Sequence, residues 1–350
     1  MIVEQKDFST KLRQLKNVVP IKTITEIKGV LFKDNMLQAN NSELALTAKI
    51  DIDSSEEFII PEKAIELIEK LPDGVIDIHL VKDKVIVNSE YGTSRFATAP
   101  VSEFQQIDTS GEKAKAFEYN AKDIVEAIRK VIYAINPNNQ QAFSGLLLQS
   151  DGEYLNFVGC DGNRLVWNKV KFKGSISAII PKSTIEKILT LTINSNIDIY
   201  TIGNKNAIIN SDEYTIYTRL ISGKYMDYKS HFEKEYEFKA AVNRLELLDC
   251  LNRALICTDS VNKSPTVISV SNGKINIEIK TGSSEFKESV KFTGNLPDDM
   301  KIGINAKYLV DALRNFDSES VEIHYNTPVT AIRLCKDDLK ALVLPIRLSA

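Results

Sequence analysis

The chain has 350 residues, 43% hydrophobic and 26% charged, with 44 Lys and Arg against 47 Asp and Glu for a formal net charge of −3. That is an ordinary globular composition, long enough at about 150 residues per domain for two or three cores. It lacks the basic excess of a protein that coats nucleic acid over its whole surface, though DNA contact on one face remains open.

The opening MIVEQKDFSTKL is not a signal sequence and no run approaches the ~18 apolar residues of a membrane span, so a cytoplasmic location is expected. The first helix is predicted in DFSTKLRQLKNV, with Phe8, Leu12 and Leu15 on one face. Then come strands, an acidic stretch with Asp51, Asp53, Glu56 and Glu57, and the run FIIPEKAIELIEKLPDG. This run reads as a short strand, a proline suited to a helix start, and a helix with the stripe Ala64, Leu67, Ile68, Leu71. Alternating segments follow in VIDIHLVKDKVIVNSEYGTSRFAT, the pattern of antiparallel hairpins.

The same order recurs twice. AKDIVEAIRKVIYAI carries Ile124, Ile128, Val131 and Ile135; AIIPKSTIEKILTLT carries Ile185, Ile188 and Leu189; hairpins follow in NIDIYTIGNKNAIINSDEYTIYTRL. In the third copy, NRLELLDCLNRALI carries Leu247, Leu251 and Leu255, and KIGINAKYLVDALRNFD carries Leu309, Val310, Leu313 and Phe316 before a last set of strands. Pro61 and Pro181 are 120 residues apart, and Pro181 and Asn305 are 124 apart. A period of that length is a whole domain. The expectation is an α+β fold of three repeated domains, residues 1–112, 113–234 and 235–350, each with two helices packed on antiparallel sheets.

Three motifs in order carry a resemblance. Asp161-Gly162-Asn163-Arg164-Leu165 is similar to a D-G-x-R-L turn, Leu220 to Tyr228 (LISGKYMDY) to L-x-x-G-x-F/Y-P-D-Y, and Leu342 to Leu348 (LVLPIRL) to a terminal V/I-M/L/V-P-M/I/V-R-L. Together with the repeat, the chain resembles the beta subunit of bacterial DNA polymerase III, the replicative sliding clamp, from its first helix to its last strand. Met226 stands where the family commonly has proline, Asn163 replaces a histidine and Ser230 an arginine, Asn41 to Leu44 (NSEL) replaces T-D-L-E, and Ser349 and Ala350 extend the usual end. Both the main replicative clamp and a diverged second copy stay open.

The resemblance implies a ring: a head-to-tail homodimer, six domains around duplex DNA, bound without regard to sequence. Family interface positions match Phe104, Ile256 and Cys257. A groove between the middle and last domains would take a short Q-L-x-L-F-type motif from the polymerase III catalytic subunit, the clamp loader and repair proteins. Its walls would be Phe143, Cys160, Gly162, Asn163, Arg164, Leu165, Met226, His231 and the tail Leu342, Val343, Leu344, Pro345, Ile346, Arg347 and Leu348.

For DNA, projection of the helices puts Arg13, Lys122, Arg129, Lys187, Arg253, Lys307 and Arg314 opposite the apolar stripes, mixed with Glu66, Glu69, Glu126 and Asp311. Lysine and arginine on phosphates give sequence-blind attraction. Lys22, Gln140, Gln141 and Lys182 match family positions that touch DNA.

Catalysis fails on inventory. The three histidines, His79, His231 and His324, have no nucleophile motif beside them, and neither G-x-x-x-x-G-K-S/T nor G-x-G-x-x-G occurs. Cys160, Cys250, Cys257 and Cys335 lack metal-ligand and disulfide spacing, so no metal or cofactor is expected. Two alternatives to the ring remain: a clamp-fold adaptor that does not encircle DNA, and a metal-dependent hydrolase on Asp51 and Asp53.

Overall fold

A computed structural model describes residues 1–19, 28–41, 43–52, 54–104, 113–138, 141–191, 193, 195–258 and 265–348. Its elements fall in one order, three times. The first pass runs β1 (Ile2–Glu4), α1 (Gln5–Lys16), β2 (Gly29–Lys33), β3 (Met36–Asn40), β4 (Leu44–Lys49), β5 (Phe58–Pro61), α2 (Glu62–Lys70), β6 (Val75–Val81), β7 (Lys84–Ser89) and β8 (Gly92–Ala97). The second runs β9 (Lys113–Asn120), α3 (Ala121–Ile132), β10 (Gly145–Ser150), β11 (Tyr154–Cys160), β12 (Arg164–Lys171), β13 (Ser177–Pro181), α4 (Lys182–Thr190), β14 (Asn196–Ile202), β15 (Asn206–Asn210) and β16 (Tyr214–Arg219). A short α5 (Tyr228–Phe232) follows. The third pass is β17 (Phe238–Asn243), α6 (Arg244–Ile256), β18 (Thr266–Ser271), β19 (Lys274–Lys280), β20 (Glu285–Gly294), β21 (Lys301–Ile304), α7 (Ala306–Leu313), β22 (Ser320–Tyr325), β23 (Ile332–Lys336) and β24 (Leu339–Val343).

Local chemistry repeats with the elements. The hairpin before β4 is closed by Asn41, whose Oδ1 accepts the N–H groups of Glu43 and Leu44. Before β12, Asp161 Oδ1 does the same for Asn163 and Arg164, and before β20 the hydroxyl of Thr281 does so for Ser283 and Ser284. Each is a side-chain acceptor mimicking a backbone turn. Asn243 and Asn305 cap α6 and α7 by accepting the N–H of Glu246 and Lys307.

Cα packing divides the chain into two compact units, residues 1–124 with 186–220 and residues 125–185 with 221–350. The division passes through α3 and α4, so the second pass contributes to both units. In the first unit α1 packs on α2 and on β2, β3 and β4, and its stripe Phe8, Leu12, Leu15 is buried, as are Phe32, Leu46, Ile65 and Ile68 of those elements. On α2 the buried face is Ala64, Ile65 and Ile68, with Leu67 at its border rather than in its middle. In the second unit α6 and α7 pack together, with α6 also against β17, β19 and β20, and Leu247, Leu251, Leu309, Val310 and Leu313 are buried.

The sheets explain the units. The first contains the four-stranded β1-β6-β7-β8 and the eight-stranded β5-β2-β3-β4-β16-β15-β14-β9. The second is built on one twelve-stranded run, β13-β10-β11-β12-β24-β23-β22-β17-β20-β19-β18-β21. The last hairpin strand of one repeat (β16, then β24) thus adds to the fourth strand of the repeat before it (β4, then β12), antiparallel both times.

Candidate functional site

The junction of β12 with β24 lies within the second unit and carries an apolar cluster. Ala142, Leu147, Val158, Cys160, Leu165, Ile179, Tyr225, Tyr228, Phe232 and Leu342 are buried in it, with Phe143, Trp167, Ile221 and Met226 packed at its border. Phe143 meets Tyr225 edge-on at 5.4 Å, and Trp167 meets Tyr228 at 5.4 Å. His231 is half-buried on α5, next to Phe232. Gly162, at φ +88°, occupies the left-handed position of the turn, where a side chain would strain the backbone. Burial pushes the Cys160 thiol up, so it stays protonated and serves as apolar wall.

Behind the cluster, Arg164 is held from three sides. Its Nε donates to Asp161 at 2.8 Å, one terminal nitrogen to Asp311 at 2.8 Å, and the other to the carbonyl of Tyr133 at 2.6 Å. The guanidinium also lies over the Tyr133 and Tyr308 rings, 5.2 and 4.6 Å from their centroids. Burial works against the charge, yet the two carboxylates outweigh it and raise the arginine above its ordinary range. This node fixes the turn that carries Gly162 and Asn163. Sequence reading assigned Arg164 to the groove wall; its polar atoms are in fact committed to these partners.

The tail continues β24. The N–H of Leu344 donates to Asn163 O at 2.9 Å and that of Ile346 to Gly303 O at 2.8 Å. A Cβ on Gly303 would sit 2.6 Å from Ile346 O and 2.7 Å from a Leu348 methyl, so the bare glycine lets the tail lie against β21. Leu348 therefore faces Gly303, and the apolar tail side chains left most open are Leu344, 47% exposed, and Ile346, 36% exposed, with Arg347 exposed between Ile346 and Leu348. Leu348 is half-buried against β21, while Ile346 stays exposed.

The candidate DNA contacts divide. Arg13, Lys122, Arg129, Arg253, Lys307 and Arg314 are exposed. Lys122 and Arg129 have no acidic partner among the described residues. Arg253 is locked bidentate on Glu288 at 2.8 and 2.6 Å, and Lys307 is paired with Asp311. Lys187 is a correction: it is buried, its ammonium donates to the carbonyl of Gln14 at the end of α1, and burial pushes its pKa down to about 8. A projection of one helix cannot register that neighbour. Lys182 reaches the Ile135 carbonyl at 2.8 Å. Lys22 and Gln140 lie outside the described residues, as does the side chain of Gln141.

Of the interface positions, Ile256 is 83% exposed at the end of α6 and Cys257 is half-buried beside it. Phe104, by contrast, packs on Leu31, Ile59 and Ala99 of its own unit. Phe96 is half-buried on β8, whose outer edge is unpaired among the described residues.

Among the described residues the carboxylates of the hydrolase reading form no metal cluster. Asp53 lies outside the described residues, Glu57 pairs with Lys33, and Glu56 faces the amino terminus. The one group of potential metal ligands among the described residues is Glu322, His324 and Cys335. There Arg333, a donor only, points Nε and a terminal nitrogen at His324 Nδ1 from 3.0 and 2.6 Å. The ring proton is thereby assigned to Nε2, which donates to Glu322 at 2.9 Å and has no lone pair for a metal. Arg333 also binds the carbonyls of Phe232 and Lys234 and stacks on Tyr236, so the cluster ties the segment after α5 to β23.

Two family models match, the central domain of the DNA polymerase III beta subunit over residues 118–227 and its C-terminal domain over residues 229–347. Beta sliding clamps of Rickettsia felis and Helicobacter pylori are 25% and 24% identical, each alignment covering 93% of this chain and 91% of the relative. A DNA polymerase III beta subunit structure from Eubacterium rectale superposes with a TM-score of 0.90 at 23% identity, over 99% of this chain and 98% of that one. A sliding clamp from Pseudomonas aeruginosa bound to griselimycin gives 0.91 at 21% identity, over 99% of each chain. Among the described residues, no helix is long and apolar enough to cross a membrane.

Proposed function

Since the chain belongs to the DNA polymerase III beta subunit family, whose members are non-catalytic, we infer that it is a clamp-type processivity factor that closes head to tail with a second copy around duplex DNA. The three-domain division at residues 112 and 234 is part of that reading.

The observation that carries it is a missing third junction. β4 receives β16 and β12 receives β24; among the described residues their counterpart β20 has no such partner along Glu285–Lys291, and β8, the counterpart of β16 and β24, has none either. A head-to-tail contact uses two different surfaces and closes a ring if its rotation allows. The turns fix the register. Leu44 pairs with Thr218 and Arg164 with Val343, so Ser284 of one copy pairs with Phe96 of the other and Glu285 with Arg95. Opposite charges then face each other on the outer side, while Phe96, Ser94 and Phe286 turn inward. The helices agree. Lys187 meets the end of α1, and Asp311 holds Arg164 of β12, which in turn reaches the Tyr133 carbonyl just past α3. The corresponding residue of α2 is half-buried Leu67, which suits Ile256 at the end of α6.

The ring needs only weak cations on its helices, because topology does the holding. The groove beside β24 is the tether: an apolar pocket with exposed Leu344 and Ile346 and a rigid back wall fits a short motif with apolar anchors. Polymerase, loader and repair proteins are the expected sources.

Cysteine cross-linking tests the reading. Arg95→Cys with Glu285→Cys should oxidise to a covalent dimer that stays on nicked circular DNA in high salt and leaves when the circle is cut. The slipped pair Arg95→Cys with Phe286→Cys should not cross-link, because a one-residue slip sends the two side chains to opposite faces. A monomer in solution, or equal cross-linking by both pairs, would overturn the register and favour the adaptor.

A further inference from the structure

Comparison of the first and third repeats exposes a seam that one closes and the other leaves open. In the third, the end of β20 folds back onto β17, pairing Val242 with Phe292, Ala241 with Thr293 and Ala240 with Gly294. Counting from the helix caps (Asn243 and Glu4) and from the turns (Thr281 and Asn41), the equivalent pairs are Val3 with Ile52 and Ile2 with residue 53. Residue 53 lies outside the described residues, and the pair of Val3 with Ile52 does not form: among the described residues β1 pairs with β6 alone. One residue holds the segment after β4 on its other side. Asn35, in the β2–β3 turn at φ +58°, accepts the N–H of Ile50 on its carbonyl at 3.1 Å and that of Ser54 on its Oδ1 at 3.3 Å. It draws the segment after β4 away from β1. The equivalent of Asn35 is Gly273, which has no side chain to do this.

A cleft of about 360 Å³ results, lined by Ile2, Glu4, Asp7, Phe8, Asp51 and Val75 among others. Met1 uses both backbone groups on Ile78 and Gln5 donates to Gly74, so by alternation Ile2 and Glu4 aim theirs at the open edge. The walls are partly apolar, with Ile2 69% and Val75 57% exposed. The rim is acidic: Glu4, Asp7 and Asp51 have no ion-pair partner among the described residues, and the ammonium of Lys11, the lysine at the cleft, is tied to the Lys49 carbonyl at 2.6 Å.

We propose that this cleft docks an extended basic segment of a partner protein, which adds a strand to the open edge of β1, sets an apolar side chain against Ile2 and Val75, and turns lysine or arginine toward Glu4, Asp7 and Asp51. Backbone pairing supplies the grip and alternate side chains the selection. The sign of the rim chooses basic over acidic sequence. The site is distinct from the groove beside β24 and does not depend on the ring.

Three blocked pentapeptides test it against the full-length chain: acetyl-KIKVK-amide, its acidic counterpart acetyl-EIEVE-amide, and the basic peptide with alternate backbone nitrogens methylated. The basic peptide should shift amide resonances of residues 2–4, 7 and 50–52, and a Q-L-x-L-F peptide should not displace it. Methylation should weaken binding at least tenfold, and the acidic peptide should not bind. Asn35→Gly should let the seam zip and abolish binding while thermal unfolding stays cooperative. Asp7→Asn with Asp51→Asn should weaken binding without closing the cleft, which keeps the test valid if Asn35→Gly misfolds. Undiminished binding of the methylated peptide would reduce the effect to unspecific charge attraction. Shifts elsewhere, or self-association through β1 in place of peptide binding, would also overturn the proposal.

Discussion

Replacing Ile256 by aspartate separates the fold from the assembly. The side chain is 83% exposed in the chain, so the isolated subunit should lose no more than about 0.5 kcal/mol, as for an ordinary surface change. If a second copy covers it, burying an isoleucine is worth about 1.5–3 kcal/mol at each contact. A closed head-to-tail pair has two equal contacts, so the loss doubles to about 3–6 kcal/mol, and the dissociation constant should rise by roughly 10²–10⁴. Desolvating the carboxylate adds to this. Sedimentation equilibrium over a concentration series reads the shift from about twice 39.2 kDa toward a single chain, with thermal unfolding as the control. A variant that stays dimeric at the same concentrations as the parent would refute the contact. One that unfolds early would show that Ile256 serves the subunit's own core.

Arg164→Met leaves Asp161 and Asp311 largely buried without their cation and should cost about 3–5 kcal/mol in urea unfolding. Motif-peptide binding should weaken too, because the turn bearing Gly162 loses its anchor. Leu344→Asp should lower affinity for a Q-L-x-L-F peptide about ten- to a hundredfold by calorimetry and leave the dimer intact; unchanged affinity would move the groove elsewhere. Burial, with Arg333 adding to it, holds the His324 pKa below its ordinary value against the pull of Glu322. The unfolded chain then takes up the proton first, so stability should fall as pH drops from about 6.5 toward the lower folded value. His324→Gln should flatten that slope in pH-dependent denaturant midpoints.

Much of the fold was legible because its signals are local. Stripes such as Phe8, Leu12 and Leu15 and helix-start prolines such as Pro61 and Pro181 each speak within a few residues, and their recurrence disclosed the repeat. The groove was partly legible for the same reason: the LISGKYMDY run delivers Tyr225 and Tyr228 and the terminal run delivers Leu342. What sequence could not carry was convergence. Tyr133, Arg164, Tyr308 and Asp311 meet only once β12 receives β24. Lys187 looked like a solvent cation because a helical projection sees one helix, while the group that captures it is a carbonyl on another. Strand edges are silent for a related reason. Alternation tells which face of β8 is inward but not what lies beside it.

Those edges bear on how the subunit survives alone. A strand with free N–H and C=O groups templates indiscriminate pairing, and each unassembled chain carries such edges on β8 and β20. Arg95 on the first and Glu285, Lys287 and Lys291 on the second point outward as exposed charges. Under the head-to-tail pairing proposed above they serve as gatekeepers: the proposed encounter sets Arg95 against Glu285, whereas β20 meeting another β20 confronts like charges in many registers. Dilution, or a variant that opens the pair, should therefore be tolerated as soluble subunit only while those charges remain, and neutralising them should turn a loss of assembly into precipitation.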